Sequence, residues 1–169
     1  MDNEQLVNQY RDLMQTALTP RERFRVTADF LAGVFAVQTD EVAIFSCDDS
    51  RETLVFEWPD SLKTVGSIPL NAHRCLVSKC AVEKRGALDN HFASTPHLQM
   101  FEQFLSDRNK RIPIQKIISV PVLSGSTVKG VVQIARKGSD RSAAGADFTT
   151  ADLNILEGLA SELSRHFSM

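Results

Sequence analysis

The stretch SVPVLSGSTVKGVVQIARK, residues 119–137, decides the fold of this chain. It contains two runs of β-branched and aliphatic residues on either side of Ser124-Gly125-Ser126. Because such runs around a short Gly-containing turn are typical of a β-hairpin, we predict two paired strands here. Polar residues are interspersed in both runs, so the hairpin is a candidate wall of a binding site as well as a scaffold.

The composition predicts one globular domain that covers residues 1–169. Hydrophobic residues make up 43% and charged residues 24%, and the chain is long enough to bury one sizeable core. A formal net charge of −2 argues against general affinity for nucleic acid or an anionic membrane surface. No apolar run approaches the roughly 20 residues of a membrane span, and the N-terminal sequence does not resemble a secretory leader. The three cysteines fit a reducing compartment, so we expect a cytoplasmic location.

Three helices are predicted at the two ends of the chain. Apolar residues recur at helical spacing in residues 5–18, and Thr19-Pro20-Arg21-Glu22 begins a second helix that continues to about residue 37. The C-terminal helix, 149–167, begins with a capping box of Thr149 and Asp152. Each helix has an apolar stripe that would pack on a sheet.

The middle of the chain alternates between strands and helices. Short apolar runs predict strands at 41–47, 53–59 and 64–70. We expect Asn71 to cap a helix that ends at Gly86, and Thr95-Pro96 to begin another helix. This order implies one antiparallel sheet with helices on both faces, an α+β fold.

Three motifs follow one another in a fixed order. They are Ser119-Val120-Pro121-Val122, then Gly130-Val131-Val132-Gln133-Ile134, then Phe148-Thr149-Thr150-Ala151-Asp152. Together these motifs resemble the GAF family of small-molecule sensor domains. The resemblance extends from about residue 20 to residue 167. It implies a central six-stranded antiparallel sheet with the terminal helices on one face, and a pocket on the other face roofed by the middle helices and loops.

The resemblance also indicates which residues would line that pocket, because they fall on its strands and roof elements. They combine aromatic walls with a few polar groups, as small-molecule sites do. The predicted ligand-binding residues are Phe56, Trp58, Leu70, Leu76, His91, Phe92, His97, Phe101, Ser119, Pro121 and Gln133. No motif in the sequence identifies the ligand or a cofactor.

Two ligand classes known in similar domains fit the sequence poorly. Cyclic nucleotide-binding members carry Asn-Lys after the last strand and Phe-x-x-x-Asp-Glu before the last helix. Here Lys137 and Asp152 match, but Arg136 and Leu153 do not. Bilin-binding members need a cysteine on the roof helix in surroundings that this sequence lacks. A helix cap and a surface charge account for Asp152 and Lys137.

A redox enzyme is an alternative of another class, since some compact GAF proteins resemble reductases of free methionine sulfoxide. Such chemistry needs an attacking thiolate and a resolving thiol that can meet it. If Cys75 and Cys80 share one helix, they lie about 7.5 Å apart along its axis and point roughly 140° apart. They could not bridge there, and Cys47 would need to be brought close by the fold. We therefore expect no catalytic residues and no enzyme activity.

Metal binding and anion steering also lack support in the sequence. His73 and Cys80 would be about 10.5 Å apart on one helix, too far for one ion, and His91 and His97 have no metal-ligand spacing. We therefore predict no metal site. The basic run 107–111 is typical of solvated loop charge.

The favoured function is therefore a non-enzymatic regulatory domain of bacterial-type signal transduction or transcriptional control that binds a small-molecule effector. A GAF module that only dimerises is the alternative. We expect a homodimer formed through residues 1–18 and the C-terminal helix, because Val7, Leu18, Ile155 and Leu159 widen their apolar stripes. A first helix that folds back over the last helix would use these residues within a monomer. A downstream output domain or protein is the other expected partner.

Overall fold

A computed structural model describes residues 1–72, 74–95 and 112–167. The helices are α1 (Asn3–Met14), α2 (Pro20–Phe35), α3 (Leu76–Glu83) and α4 (Thr150–Leu163). The strands are β1 (Val42–Asp48), β2 (Thr53–Trp58), β3 (Ser67–Pro69), β4 (Ala87–Asp89), β5 (Ile114–Ser124) and β6 (Thr127–Lys137). Short 3-10 turns cover Thr39–Glu41, Asp60–Leu62, Phe92–Ser94 and Ser164–His166.

The six strands form one antiparallel sheet in the order β3-β2-β1-β6-β5-β4. This confirms the predicted α+β architecture. The central strands are β1 and β6, and β6 forms a hairpin with β5 in which Ser124 pairs with Thr127 across the turn. Gly125 has a φ of 61°, the left-handed conformation that a tight turn needs and glycine adopts at little cost.

The sheet separates two apolar cores. The first, between the sheet and α1, α2 and α4, contains even-numbered residues from the middle of the hairpin, such as Ile118, Val120 and Ile134. The second lies on the opposite face under α3 and the 3-10 turn Phe92–Ser94, and it contains odd-numbered residues such as Ile117 and Val131. The hairpin alternates between the two cores because successive side chains of a strand point to opposite faces. We call them the helix-side core and the roof-side core.

Capping boxes begin α2 and α4 as the sequence predicts. The Thr19 hydroxyl accepts a hydrogen bond from the Glu22 backbone N–H, and Thr149 does the same for Asp152. In return, each N3 carboxylate accepts the backbone N–H of its capping threonine. These local contacts fix where the helices begin.

Several predicted boundaries differ from the structure. Helix α1 spans Asn3–Met14 rather than 5–18, so Leu18 lies beyond it. Asn71 does not cap α3: the chain makes a turn closed by Cys75 N–H to Ala72 C=O, and Cys75 is the N-cap residue. The third strand is only three residues long, and β4 was not predicted from the sequence pattern. The expected helix after Thr95 lies outside the described residues.

The terminal helices pack against one another as well as on the sheet. Leu159, which the sequence suggested as a surplus apolar residue, is 2% exposed in the helix-side core, and Val7 and Ile155 are partly buried against that core. A bidentate ion pair joins α1 to α4, with Arg11 Nε 3.1 Å from Glu162 Oε1 and Arg11 Nη2 3.0 Å from Oε2. Much of the apolar surface that the sequence analysis assigned to a dimer interface is thus buried within the chain itself. None of the described helices has the length and apolarity needed to cross a membrane.

Candidate functional site

A row of short side chains crosses four strands on the roof-side face of the sheet. Ala43 on β1 pairs with Gln133 on β6, which pairs with Ser119 on β5, which pairs with Ala87 on β4. Residues directly opposite one another in an antiparallel sheet point to the same face. Gln133 is therefore the one long side chain of this row.

Gln133 and Ser119 form a buried polar pair in an otherwise apolar surface. Gln133 Nε2 donates a 3.3 Å hydrogen bond to Ser119 Oγ, and the two residues are 5% and 0% exposed. Burial of polar groups costs free energy unless they are hydrogen-bonded. A polar pair in such a place is suited to orienting a small molecule by its polar atoms while apolar neighbours bind its body.

The roof over this face is built from α3 and the segment that follows β4. Cys80 and Ala81 of α3 and Phe92 of the 3-10 turn all belong to the roof-side core. The side chain of Ser78 anchors α3 by donating to the Pro69 carbonyl at 2.8 Å. Asp89 fixes the later segment, since its carboxylate accepts from His91 N–H at 2.8 Å and from Thr95 Oγ at 2.8 Å.

Most of the predicted site residues that the structure describes lie on or beside the roof-side face. Phe56 is buried there and packs against Phe45 with ring centroids 4.4 Å apart. Phe92 belongs to the same core, and Leu70 and Leu76 are partly buried against it. Ser119 and Gln133 form the polar pair. His91 is exposed beside the roof, Pro121 is half-buried near the sheet edge, and His97 and Phe101 lie outside the described residues.

Trp58 was wrongly placed by the sequence pattern. Phe45 pairs with Phe56 and Ile44 pairs with Trp58, so Glu57 is an extra residue in β2. Such a bulge reverses the alternation of side chains. Trp58 consequently packs on the helix-side core, and its indole N–H donates to the Thr39 carbonyl at 2.9 Å.

The surface near α3 has two adjoining grooves, of 490 and 400 Å³, that share Leu70 and Val82. A third groove of 270 Å³ lies where Pro121 meets the segment after α3 and the second half of α4. Sequence reasoning did not predict Ala43, Ala87 or Cys80 as neighbours of the polar pair. These residues lie on different strands, far apart in sequence. Only the register between the strands places them side by side in one row.

The environments of two cysteines do not favour thiolate chemistry. Burial raises the pKa of the Cys80 thiol to about 12, although a hydrogen bond with Ser119 opposes the shift. Burial also raises the pKa of the Cys47 thiol to about 11, and the neighbouring Asp49 carboxylate adds to that effect. Cys75 is buried ahead of α3 rather than within it, which replaces the helical geometry predicted for this pair. Thiols with such high pKa values are almost wholly neutral near pH 7.

The described residues also bear on the other ligand classes. They contain no group of three or more His, Cys, Asp or Glu side chains arranged to hold a metal ion. His73, His97 and the basic run 107–111 lie outside the described part of the chain. The Asp152 carboxylate accepts hydrogen bonds from the backbone N–H and the hydroxyl of Thr149, so Asp152 is part of the helix cap that the sequence analysis favoured. Arg136 lies over the Phe148 ring, with its Cζ 4.3 Å from the ring centroid.

Solved structures with the same architecture identify the fold. The GAF domain of an Acinetobacter phosphoenolpyruvate-protein phosphotransferase superposes with a TM-score of 0.73 at 15% identity, covering 99% of this chain and 95% of that one. The chain has a GAF fold. The GAF-B domain of DevS from Mycobacterium smegmatis matches with a TM-score of 0.60 at 14% identity, over 88% of this chain and 93% of that one.

The GAF fold is shared by an enzyme among these neighbours. The free methionine-R-sulfoxide reductase of Neisseria meningitidis, solved in complex with its substrate, has a TM-score of 0.68 at 18% identity, with coverage of 98% and 87%. No protein-family model matches the sequence, and no curated protein matches it either. Likeness at these identities establishes the GAF fold alone, so function has to be argued from this chain's own residues.

Proposed function

We propose that this chain is a regulatory GAF domain that binds a small molecule on the roof-side face of its sheet. The observation that carries the proposal is the Ser119–Gln133 pair, a buried amide and hydroxyl within a row of small residues. An amide supplies both donors and an acceptor, so it suits an effector with a compact polar group on an apolar or planar body. The predicted pocket residues other than Trp58 remain part of this proposal.

The regulatory role is favoured over catalysis by the state of the thiols. A reductase of free methionine sulfoxide needs a thiolate, and the raised pKa values of Cys47 and Cys80 hold both as neutral thiols. A domain of this kind acts in the cytoplasm as one unit over residues 1–169, in signal transduction or transcriptional control. Its partner would be an output domain or a second protein.

Homodimerisation through the terminal helices is also part of the proposal. With Leu159 buried, the argument rests on Leu13 and Leu18, which are 44% and 82% exposed. Apolar side chains left in water forgo burial free energy, so a second copy that covers them would stabilise the assembly. In such a dimer, α1 and α4 would transmit a change in one domain to its neighbour.

Native mass spectrometry of freshly purified protein tests ligand binding directly. We expect a co-purified compound, seen as a mass above that of the bare chain, in the wild type and in the control variant Gln9→Leu on the exposed face of α1. The variant Gln133→Leu, similar in size but without the amide, should lose the compound while its melting temperature stays close to wild type. Bare protein in every preparation would favour the dimerisation module that lacks a ligand. Equal retention by Gln133→Leu would move the site away from this row.

A further inference from the structure

The Asn90 side chain forms two hydrogen bonds with the backbone of Phe148, just before α4, and we call this pair of bonds the bracket. Its side-chain Nδ2 donates to the Phe148 carbonyl at 2.9 Å, and its Oδ1 accepts the Phe148 N–H at 2.8 Å. The side-chain amide thereby satisfies both backbone groups of Phe148, as a residue of a neighbouring strand would do. Phe148 is next to Thr149, the N-cap residue of α4, so the bracket holds the start of this helix.

The same asparagine is joined to the roof segment on its other side. Asn90 directly follows Asp89, whose carboxylate holds the backbone of His91 and the hydroxyl of Thr95. Two residues beyond Asn90, the Phe92 ring is 5% exposed in the roof-side core. Any displacement of this ring by a ligand would therefore act on a segment attached to the bracket.

The loop before Phe148 is too firmly held to absorb such a displacement. Arg141 Nε donates to the Asn90 carbonyl at 3.1 Å, and Lys116 Nζ lies 2.8 Å from Asp147 Oδ1. Lys116 also donates to the Gly145 carbonyl, and Gln115 Nε2 donates to the Gly138 carbonyl at 3.0 Å. The Lys116 side chain is 5% exposed, so the loop is anchored to a buried group of β5, although the Asp147 carboxylate itself is 54% exposed.

We propose that Asn90 is a positioning residue that couples the roof segment, residues 89–95, to the first turn of α4. The bracket spans 58 positions of sequence and links the two faces of the sheet, because Phe92 lies in one core and Phe148 in the other. That this coupling carries a signal from a bound ligand to an output domain rests on the proposed function. The coupling itself is a property of the chain without ligand.

A double-mutant cycle read by amide hydrogen exchange tests the coupling without any ligand. The variant Phe92→Leu perturbs the roof, Asn90→Ala removes the bracket, and the reporter is the Leu153 amide, which donates to the Thr149 carbonyl. We expect Phe92→Leu to speed exchange at Leu153 by about threefold in the wild-type background, and to have no measurable effect in the Asn90→Ala background. The Val132 amide in the centre of the sheet reports global opening and serves to normalise the rates.

Two further variants sharpen the cycle. Asn71→Ala, which removes an asparagine side chain beside α3, should leave the response of Leu153 to Phe92→Leu intact. Asn90→Asp keeps the acceptor and loses the donor, and it replaces Asn90→Ala if that variant does not fold. Equal effects of Phe92→Leu with and without the bracket, or no effect at Leu153 in either background, would overturn the proposal. Because no ligand is used, these outcomes are independent of whether a compound co-purifies with the protein.

Discussion

The ring of Phe167 lies directly over Gly130 of β6 and leaves no space for a side chain there. A Cβ atom on residue 130 would stand 2.6 Å from Phe167 Cε1 and would clash with the Phe45 carbonyl oxygen. Phe167 also makes an edge contact with Phe24 of α2, with ring centroids 5.5 Å apart. The absence of a side chain at Gly130 thus allows the Phe167 ring to pack against β6.

Gly130→Ala should therefore destabilise the fold by about 2–3 kcal/mol, because overpacking forces both the strand and the ring to shift. Gly33→Ala is the matched control, since a Cβ at that position in α2 meets no atom within 4 Å. It should leave stability unchanged or raise it by up to about 1 kcal/mol, because alanine is the better helix former. Chemical denaturation of the two variants measures both effects. Equal stabilities would show that the packing around Gly130 is loose.

The ion pair between α1 and α4 predicts a dependence of stability on pH. The hydrogen bond from Arg11 lowers the pKa of the Glu162 carboxyl below its ordinary value of 4.5. A depressed carboxyl pKa contributes stability above the pKa of the unfolded state, and the contribution is lost as the pH falls through the folded-state pKa. The melting temperature of the wild type should thus fall as the pH drops below about 4.5.

Glu162→Gln removes this contribution and should make the acid slope shallower while lowering the melting temperature at pH 7. Glu157→Gln, an exposed residue of the same helix, is the control and should keep the wild-type slope. Thermal unfolding between pH 7 and pH 3 gives both curves. Parallel curves for Glu162→Gln and the wild type would mean that Glu162 does not titrate with folding.

The state of the Cys47 thiol predicts its reactivity. With a pKa of about 11, its alkylation by iodoacetamide should accelerate about tenfold per pH unit up to pH 10, without a plateau. Asp49→Asn removes the negative charge beside the Cys47 thiol, which lowers the thiol pKa, and should raise the rate at pH 8 by roughly threefold. Asp29→Asn, on the exposed face of α2, should have no effect. An alkylation rate that stops rising above pH 7 would show that Cys47 is already a thiolate there, which would favour the redox enzyme over the regulatory domain.

No thiol-dependent turnover of free methionine sulfoxide is expected from this chain, for the same reason. A thioredoxin-coupled assay of NADPH consumption measures the activity, with Cys47→Ser, Cys75→Ser and Cys80→Ser as comparisons. Turnover that disappears in any one of these variants would contradict the regulatory assignment.

Sedimentation at micromolar concentration should give the mass of a dimer for the wild type. Replacing both Leu13 and Leu18 by Glu should shift it to a monomer, since charged groups cannot be buried unpaired between copies. Val82→Glu is the control, because Val82 is 61% exposed on α3, away from the terminal helices. A wild-type monomer would end the dimer proposal. A dimer unaffected by deletion of residues 1–18 would place the interface elsewhere.

The sequence by itself determined the features that depend on neighbours within about four positions. Thr19 and Thr149 begin their helices through contacts to Glu22 and Asp152, three residues away. The two apolar runs on either side of Ser124-Gly125-Ser126 predicted the hairpin, and the motif order led to the architecture. These features were predictable because local hydrogen bonds and strand periodicity are encoded in adjacent residues.

Only the tertiary structure decided what depends on register and on contacts distant in sequence. A single extra residue, Glu57, turned Trp58 to the helix side, since one inserted residue reverses every later side chain. The row from Ala43 to Ala87 exists through the pairing of four strands, and the Asn90 bracket joins residues 58 positions apart. Leu159 is buried rather than exposed because α4 packs into the helix-side core. No local pattern encodes these outcomes, because each is fixed by the free energy of packing the whole chain.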